Sequence, residues 1–324
     1  PVHVPKRQFD LGQQPKNVVL LISDGAGLSQ LWAAALANRG QLNVLYMPHT
    51  GYLMTGSIDT YHTDSAAGGS ALATGVKTKN RHIGVDSTGR WVSNLPDVLA
   101  EHGVVSGIVS NDRVTGATPS SFYAHVRERD ESDSIAHQLL DTKLSLVVGG
   151  AHARFADADS SLVLALRNKG FEVSHGVSSI AKSNSTRLIA FAADDVSRAW
   201  DKLDENQDDI HTDYRIIEEA FLPSVNFLTS RNQKKGFFLM VEGAKIDGGG
   251  HSNSMSFTVS EYLSFDKMVG QALARADQDG ETLVIVTSDH ETGGLVLLDG
   301  DAQSGKVLGH FGTTDHTGIP VPIL

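Results

Sequence analysis

The sequence contains no cysteine among its 324 residues. Disulfides and thiolate metal ligands are therefore excluded, and any metal must be held by His, Asp, Glu or hydroxyl oxygen. The compartment cannot be read from this absence, because a cysteine-free chain tolerates either redox state. Basic charge is also in deficit: 27 Lys and Arg against 38 Asp and Glu leave a formal net charge of −11. The basic footprint of a nucleic-acid-binding protein is missing, and the acidic balance repels phosphorylated ligands unless a local positive cluster overrides it. No apolar run approaches a membrane span, and no internal repeat is present. The opening residues, PVHVPKRQFD, include no Met, as expected of a mature form that has shed an export signal.

What is present is ordinary globular material, 40% hydrophobic and 20% charged, enough for a sizeable core. The length suits one large α/β domain or two small ones. Val18–Ser23 (VVLLIS), Phe237–Val241 (FFLMV) and Leu283–Thr287 (LVIVT) are continuous apolar runs, the pattern of buried parallel strands. Val104–Ser110, Leu144–Val148 and Phe171–Ser174 read as further strands. Between them, Leu28–Ala37, Ser65–Thr74, Asn94–His102, Ser134–Asp141, Ser160–Asn168, Tyr214–Ser230 and Ser254–Ala276 read as helices, the sixth bent at Pro223. This alternation predicts a doubly wound, mostly parallel central sheet with helices on both faces. Asp194–Thr212 is polar, acidic and reads as mobile. The closing IPVPIL is strand-like, and since a fold rarely ends in a bare buried strand, residues beyond Leu324 are expected.

Open α/β sheets bind ligands outside the carboxyl ends of their strands. Here VVLLIS runs into Asp24, FFLMV into Glu242 with Asp247 and His251 beyond, and LVIVT through Ser288 into Asp289 and His290. One Asp after a strand is most simply a turn former or helix cap; three such ends on one sheet edge form a candidate metal centre. Catalytic zinc takes imidazole nitrogen and carboxylate oxygen and keeps a position open, which suits Asp247 and His251. Magnesium prefers oxygen, which suits Glu242. Against this, VEGAKIDGGGH is also simply a polar, glycine-rich loop. His316, in TTDHTG, is a candidate to complete the zinc shell, although a lone histidine is more often structural. Ser65, at the start of the small-residue helix, has the position to face an anion or merely to cap. No G-x-S-x-G motif surrounds it, so metal activation is the remaining route to a nucleophile. In ATPSSFYAHVRERD, Thr118 and Arg129 stand out, and a guanidinium binds phosphate through paired hydrogen bonds. Surface ion pairs of Arg127 and Arg129 with Glu128, Asp130 or Glu131 are the simpler local reading.

The strings LISDGAG, TDSAAGGSALATGVKTKNRHIGVD, ATPSSFYAHVRER, VEGAKIDGGGH, TLVIVTSDHETGG and DHTG resemble the bacterial alkaline phosphatases in the family's order, from about Asn17 to the end of the chain and weakly between about Asp130 and Lys235. The resemblance implies hydrolysis of phosphate monoesters through a phosphoserine intermediate, with Ser65 as nucleophile and Arg129 clamping two phosphate oxygens. It implies two zinc ions, one on Asp247, His251 and His316, the other on Asp24, Asp289 and His290. It places one magnesium ion on Asp24, Thr118 and Glu242. It also implies a periplasmic or secreted homodimer, with small phosphate monoesters as substrates and inorganic phosphate as product. Residues 1–324 are expected to form a single α/β domain, truncated at its C-terminus, with about 130–235 as a variable inserted region. The short stretch between His290 and His316 predicts a small or absent crown.

Two positions depart from better-known members: Gly116 stands where some have Asp or His, and Gly248 where others have Lys, His or Trp. The competing readings are a phosphodiesterase of the same superfamily, which usually lacks the magnesium site, and a non-catalytic metal- or phosphate-binding protein, which has no use for Ser65. A sulfatase is disfavoured because Ser65 is followed by Ala-Ala-Gly-Gly rather than a formylglycine motif.

Overall fold

A computed structural model describes residues 2–5, 14–150, 155, 160–192, 215–232 and 234–324. The acidic stretch Asp194–Thr212 lies outside the described residues. The chain forms two compact units, Pro1–Asp64 with Gly243–Leu324, and Ser65–Glu242. Both are α/β.

The first unit opens with β1 (Asn17–Ser23), buried along nearly its whole length. Gly25 follows at φ +77, a left-handed turn that feeds α1 (Leu28–Ala37). The Gln30 side chain accepts from the Gly27 N–H at 3.0 Å and so satisfies an open amide at the start of this helix. β2 (Gly51–Leu53) closes the segment.

The second unit begins at α2 (Ser65–Thr74), whose run SAAGGSALAT buries Ser65, Ala66, Ala67, Gly68 and Gly69. Next comes α3 (Leu95–Glu101), whose Asn94 cap accepts from the Asp97 N–H at 3.1 Å. The unit continues with β3 (Val105–Arg113), α4 (Ala117–Ser120), α5 (Ser132–Gln138), β4 (Leu146–Gly150), α6 (Ser161–Asn168), β5 (Phe171–His175), α7 (Ser178–Lys182), β6 (Arg187–Phe191), α8 (Ile216–Arg231) and β7 (Phe237–Gly243). Its strands lie in the order β7-β3-β4-β6-β5, and all pair in parallel. Parallel strands must be covered on both faces, which is why LVVGG of β4 and FFLMVEG of β7 are buried at every residue. In β3, a Cβ on Gly107 would lie 3.0 Å from Leu228 Cδ1, so the glycine lets α8 sit close against the strand.

The chain then returns to the first unit through α9 (Lys245–His251) and the long α10 (Met255–Asp279), which ends at Gly280 with φ +65. After β8 (Thr282–Thr287) come the short β9 (Glu291–Thr292), a hairpin of β10 (Leu295–Asp301) and β11 (Lys306–Phe311), β12 (His316–Thr317) and β13 (Val321–Ile323). The sheet order is β2-β13-β8-β1. β1 and β8 run parallel from Asn17↔Thr282 to Ile22↔Thr287, while β13 is antiparallel to β2 and β8. The expected mixed α/β fold, mostly parallel with helices around the strands, is therefore observed. Between His290 and His316 the chain builds only the β10–β11 hairpin and one strand of a two-residue ladder, so any crown is small.

Candidate metal centre

The parallel register of β1 and β8 brings Asp24, Asp289 and His290 to the same strand ends. Ser288 fastens them: its Oγ accepts from the Ala26 N–H at 3.1 Å and lies 2.6 Å from Ser23 O. The Asp289 carboxylate is oriented by two backbone amides, since Gly25 N–H and His290 N–H both donate to Oδ1, at 3.3 and 3.0 Å. Its Oδ2 is buried without a hydrogen bond among the described residues and lies 3.3 Å from His290 Nε2. Asp24 Oδ1 lies 3.5 Å from the same nitrogen.

The second group comes from α9. Helical spacing puts Asp247 and His251 on one face, and His251 Nε2 lies 3.2 Å from Asp247 Oδ2. The segment that also reads as a glycine-rich loop is helical, and its glycines serve close packing: a Cβ on Gly249 would lie 2.4 Å from Thr258 Oγ1, and one on Gly250 2.7 Å from Thr292 O. Gly25 is similarly confined, its Cβ position lying 2.5 Å from Asp247 Cα. His316 arrives on the β9–β12 ladder, paired with Thr292. Its Nε2 lies 3.5 Å from Asp247 Oδ1 and 3.2 Å from His251 Nε2, and its ring stacks on His290 at 3.6 Å between centroids.

The tautomers of these histidines are dictated by their outer nitrogens. His251 Nδ1 lies 2.7 Å from Thr314 O, and His316 Nδ1 lies 2.8 Å from Thr63 O. A carbonyl only accepts, so each Nδ1 carries a proton, and in the neutral ring Nε2 presents a lone pair. In that form the two lone pairs face the Asp247 carboxylate, which accepts from Thr292 but offers no proton to either nitrogen. Such a donor set is satisfied by a metal ion or by added protons. Tetrahedral nitrogen ligands at about 2.0–2.1 Å from zinc stand roughly 3.3 Å apart, close to the 3.2 Å seen between the two Nε2 atoms. Asp247, His251 and His316 form one group with all ligand atoms within 4.8 Å of one another, and Asp24, Asp247 and His290 form another. In both groups the residues present fit a divalent metal.

Electrostatics agree. Burial opposes ionisation of Asp247, yet hydrogen bonds from His251 and His316 outweigh it and hold the carboxyl well below its usual range. The hydrogen bond to Asp247 raises His251 to about 9. His316 is raised too, because Asp247 overcomes the effect of burial. Burial, with the nearby Asp247 charge added, pushes Asp289 up to about 6. Without metal, the cluster takes up protons instead.

In the second unit, Ser65 is the first residue of α2 and is buried, at 5% exposure. Gly69, one turn on, packs against α4: its Cβ position lies 3.2 Å from Thr118 Cα. Glu242 ends the unit, and β3–β7 register sets it opposite Ser110, whose hydroxyl donates to Glu242 Oε2. Thr118 and Glu242 are each 1% exposed. Arg127 Nη2 donates to Thr88 O at 3.1 Å, whereas Glu128 and Asp130 are both bonded by Arg81.

Sequence reasoning passed over Thr292, whose hydroxyl donates to Asp247 Oδ1 at 2.5 Å and lies 3.2 Å from His290 Nδ1. Its place in SDHETGG, two residues after His290, is the available signal. The carbonyls of Thr63 and Thr314 carry none.

Residues 15–309 match the family model for alkaline phosphatase. The chain belongs to the alkaline phosphatase family. It is 31% identical over 298 residues to alkaline phosphatase 4 of Bacillus subtilis, covering 87% of this chain and 62% of that protein. The chain thus spans about three fifths of that relative's length. The structure of the alkaline phosphatase from the Antarctic bacterium TAB5 matches 96% of this chain and 90% of its own, with 34% identity and a TM-score of 0.83. A mutant of that enzyme with magnesium bound in its M3 site gives a TM-score of 0.84 at 34% identity, over 96% of this chain and 90% of its own. No described helix of the chain is long and apolar enough to cross a membrane.

Proposed function

We propose that this chain hydrolyses phosphate monoesters through a covalent phosphoserine formed on Ser65. The observation that carries the reading is the pair of imidazole Nε2 atoms facing each other and Asp247, each ring anchored at Nδ1 by a carbonyl. Asp247, His251 and His316 would hold one zinc, and Asp24, Asp289 and His290 the other. Thr118 and Glu242, with Asp24, would supply oxygen donors to magnesium. When bound, these ions supply the positive charge that lowers the pKa of the Ser65 hydroxyl and offsets charge developing on the phosphoryl oxygens.

The chain's own residues do the rest. Ser65 Oγ bonds to phosphorus and the alcohol departs with its oxygen. Water then cleaves the phosphoserine, releasing inorganic phosphate and restoring the hydroxyl. Arg129 offers a planar fork to two non-bridging oxygens, an arrangement a diester satisfies less well because one of its oxygens is alkylated. Export to the periplasm or medium and assembly as a homodimer accompany this reading, on the strength of the family resemblance.

The test is turnover of p-nitrophenyl phosphate against bis-p-nitrophenyl phosphate, with and without chelator, then with zinc and magnesium restored. The monoester should be preferred and activity should be metal-dependent. Labelled phosphate trapped in acid should be found on Ser65, and Ser65→Ala should lose several orders of magnitude in turnover. Preference for the diester, or label on another residue, would reverse the assignment.

A further inference from the structure

Arg81 lies outside every element that bears a metal ligand, yet it is bonded to both neighbours of Arg129. The connection begins in the backbone. Ile83 and Val126 form an antiparallel bridge, each N–H donating to the other's carbonyl at 2.9 Å. Two residues out from that bridge, antiparallel register places Arg81 opposite Glu128. The Arg81 Nε donates to Glu128 Oε1 and Oε2 at 2.8 and 2.9 Å, and Nη2 lies 2.5 Å from Oε1. The same Nη2 also donates to Asp130 Oδ2. One guanidinium therefore spans the two carboxylates that flank Arg129 in sequence.

Two further observations set this contact apart from an ordinary surface ion pair. Arg81 has φ +71, a left-handed conformation that side chains other than glycine rarely adopt. An unfavourable backbone is kept here in a residue whose side chain makes this contact. The partners are also too exposed for the contact to serve stability: their side chains are 48%, 42% and 77% exposed for Arg81, Glu128 and Asp130. Pairs of that kind contribute little to folding. The remaining arginine of the segment is committed elsewhere, since Arg127 bonds Thr88 O and lies over Gly89, whose Cβ position is 2.0 Å from Arg127 Nε.

We propose that Arg81 is a positioning residue for Arg129: it fixes the Glu128–Asp130 segment and holds both carboxylates, so that their charge does not oppose phosphate at the guanidinium between them. The proposal rests on the assignment of Arg129 as the phosphate clamp. Carboxylates directly before and after a phosphate-binding arginine compete with the ligand and repel it. Arg81 bonds both and turns that liability into a brace. It is the largest influence holding the Glu128 carboxyl below its usual range, and the charge of Arg129 contributes less.

The experiment measures the dissociation constant of inorganic phosphate by calorimetry on the metal-loaded protein, together with KM and kcat for p-nitrophenyl phosphate. The variants are Arg81→Ala, Arg81→Lys, Arg129→Ala, the double Arg81→Ala/Arg129→Ala and the triple Arg81→Ala/Glu128→Gln/Asp130→Asn. Arg81→Ala should weaken phosphate about tenfold, the scale of one charge-assisted hydrogen bond, and raise KM more than it lowers kcat. Arg81→Lys should be intermediate, because an ammonium is a point charge without the planar fork. Removing the two carboxylates should restore affinity in the triple variant, which a merely structural role does not predict. On the Arg129→Ala background, Arg81→Ala should add nothing. Phosphate affinity within twofold of wild type in Arg81→Ala, alongside a clear loss in Arg129→Ala, would overturn the role of Arg81 while leaving the clamp intact. A triple variant as weak as Arg81→Ala would also overturn it. Unchanged affinity in Arg129→Ala would overturn the clamp itself and this inference with it.

Discussion

The Asp112 carboxylate occupies the space that a side chain on Gly116 would enter: a Cβ there would lie 2.0 Å from Asp112 Oδ2. Gly116 has φ −58, so no backbone strain forbids a larger residue. The main obstacle is that carboxylate, with the Arg113 carbonyl 3.0 Å from the same position. Gly116→Asp, the change that would match other family members, should therefore not tighten magnesium by itself. It must first move Asp112 off its rotamer, at a cost of about 1 kcal/mol. Gly116→Asp/Asp112→Ala should recover that stability and bind magnesium more tightly than the single variant. Thermal unfolding and magnesium titration of both check this; tight magnesium in the single variant would count against it.

Gly25 presents the harder case. Its φ of +77 and the 2.5 Å approach of its Cβ position to Asp247 Cα leave neither conformational nor spatial room. Gly25→Ala adds about 1–2 kcal/mol of left-handed strain to about 1–3 kcal/mol of overpacking. It should also displace Asp247 and so weaken zinc. Calorimetry and zinc retention under mild chelation should both register the loss. A variant with wild-type zinc retention would show that the contact is more yielding than its distances imply.

His251→Ala and His316→Ala each remove one nitrogen from the first metal group and none from Asp24, Asp289 and His290. Each should lower the zinc content by one ion per chain, measured by metal analysis after dialysis. Loss of both ions together would mean that the two groups cannot be filled separately.

Protons and metal compete for the same lone pairs. His251 is raised from 6.5 to about 9 by Asp247. A base whose pKa is higher in the folded state contributes stability that is fully present below its unfolded pKa and is lost as pH rises through its folded pKa. The metal-free protein should therefore lose stability between about pH 6.5 and 9, whereas the zinc-loaded protein should not lose this contribution. Zinc binding at pH 7.5 should also release protons, detectable as a dependence of the calorimetric heat on the buffer's ionisation enthalpy. Equal heats in phosphate-free buffers of different ionisation enthalpy would contradict the raised pKa.

The strands were legible because burial on both faces leaves little choice of composition: VVLLIS and LVIVT are apolar throughout, and both are found as strands in parallel register. Asp24, Asp289 and His290 could be read from the same runs, since parallel strands deliver their ends to one edge. β6 (RLIAF) carried the same signal and passed unassigned beside the acidic stretch. His316 was different. It is placed by a ladder of two residues, too short for any propensity to show, and locally its candidacy rested on being a histidine. α9 misled because glycine ordinarily breaks helices, and only the closeness of Thr258 and Thr292 explains the run. Arg81 was hidden for a related reason: its partners lie 47 and 49 positions away, and one isolated bridge sets the register between them.

The β9–β12 ladder also governs when the centre can come into being. His316 follows every other metal-ligand candidate in the chain, and its ring is oriented by the carbonyl of Thr63, from far earlier in the sequence. A growing polypeptide that already carries Asp24, Asp247, His251, Asp289 and His290 still lacks the third ligand of the first group. Capture of a metal by this group would thereby wait on His316: an intermediate that lacks it offers a two-ligand stub with little hold on a cation, and an ion would be retained only after the β9–β12 ladder has formed.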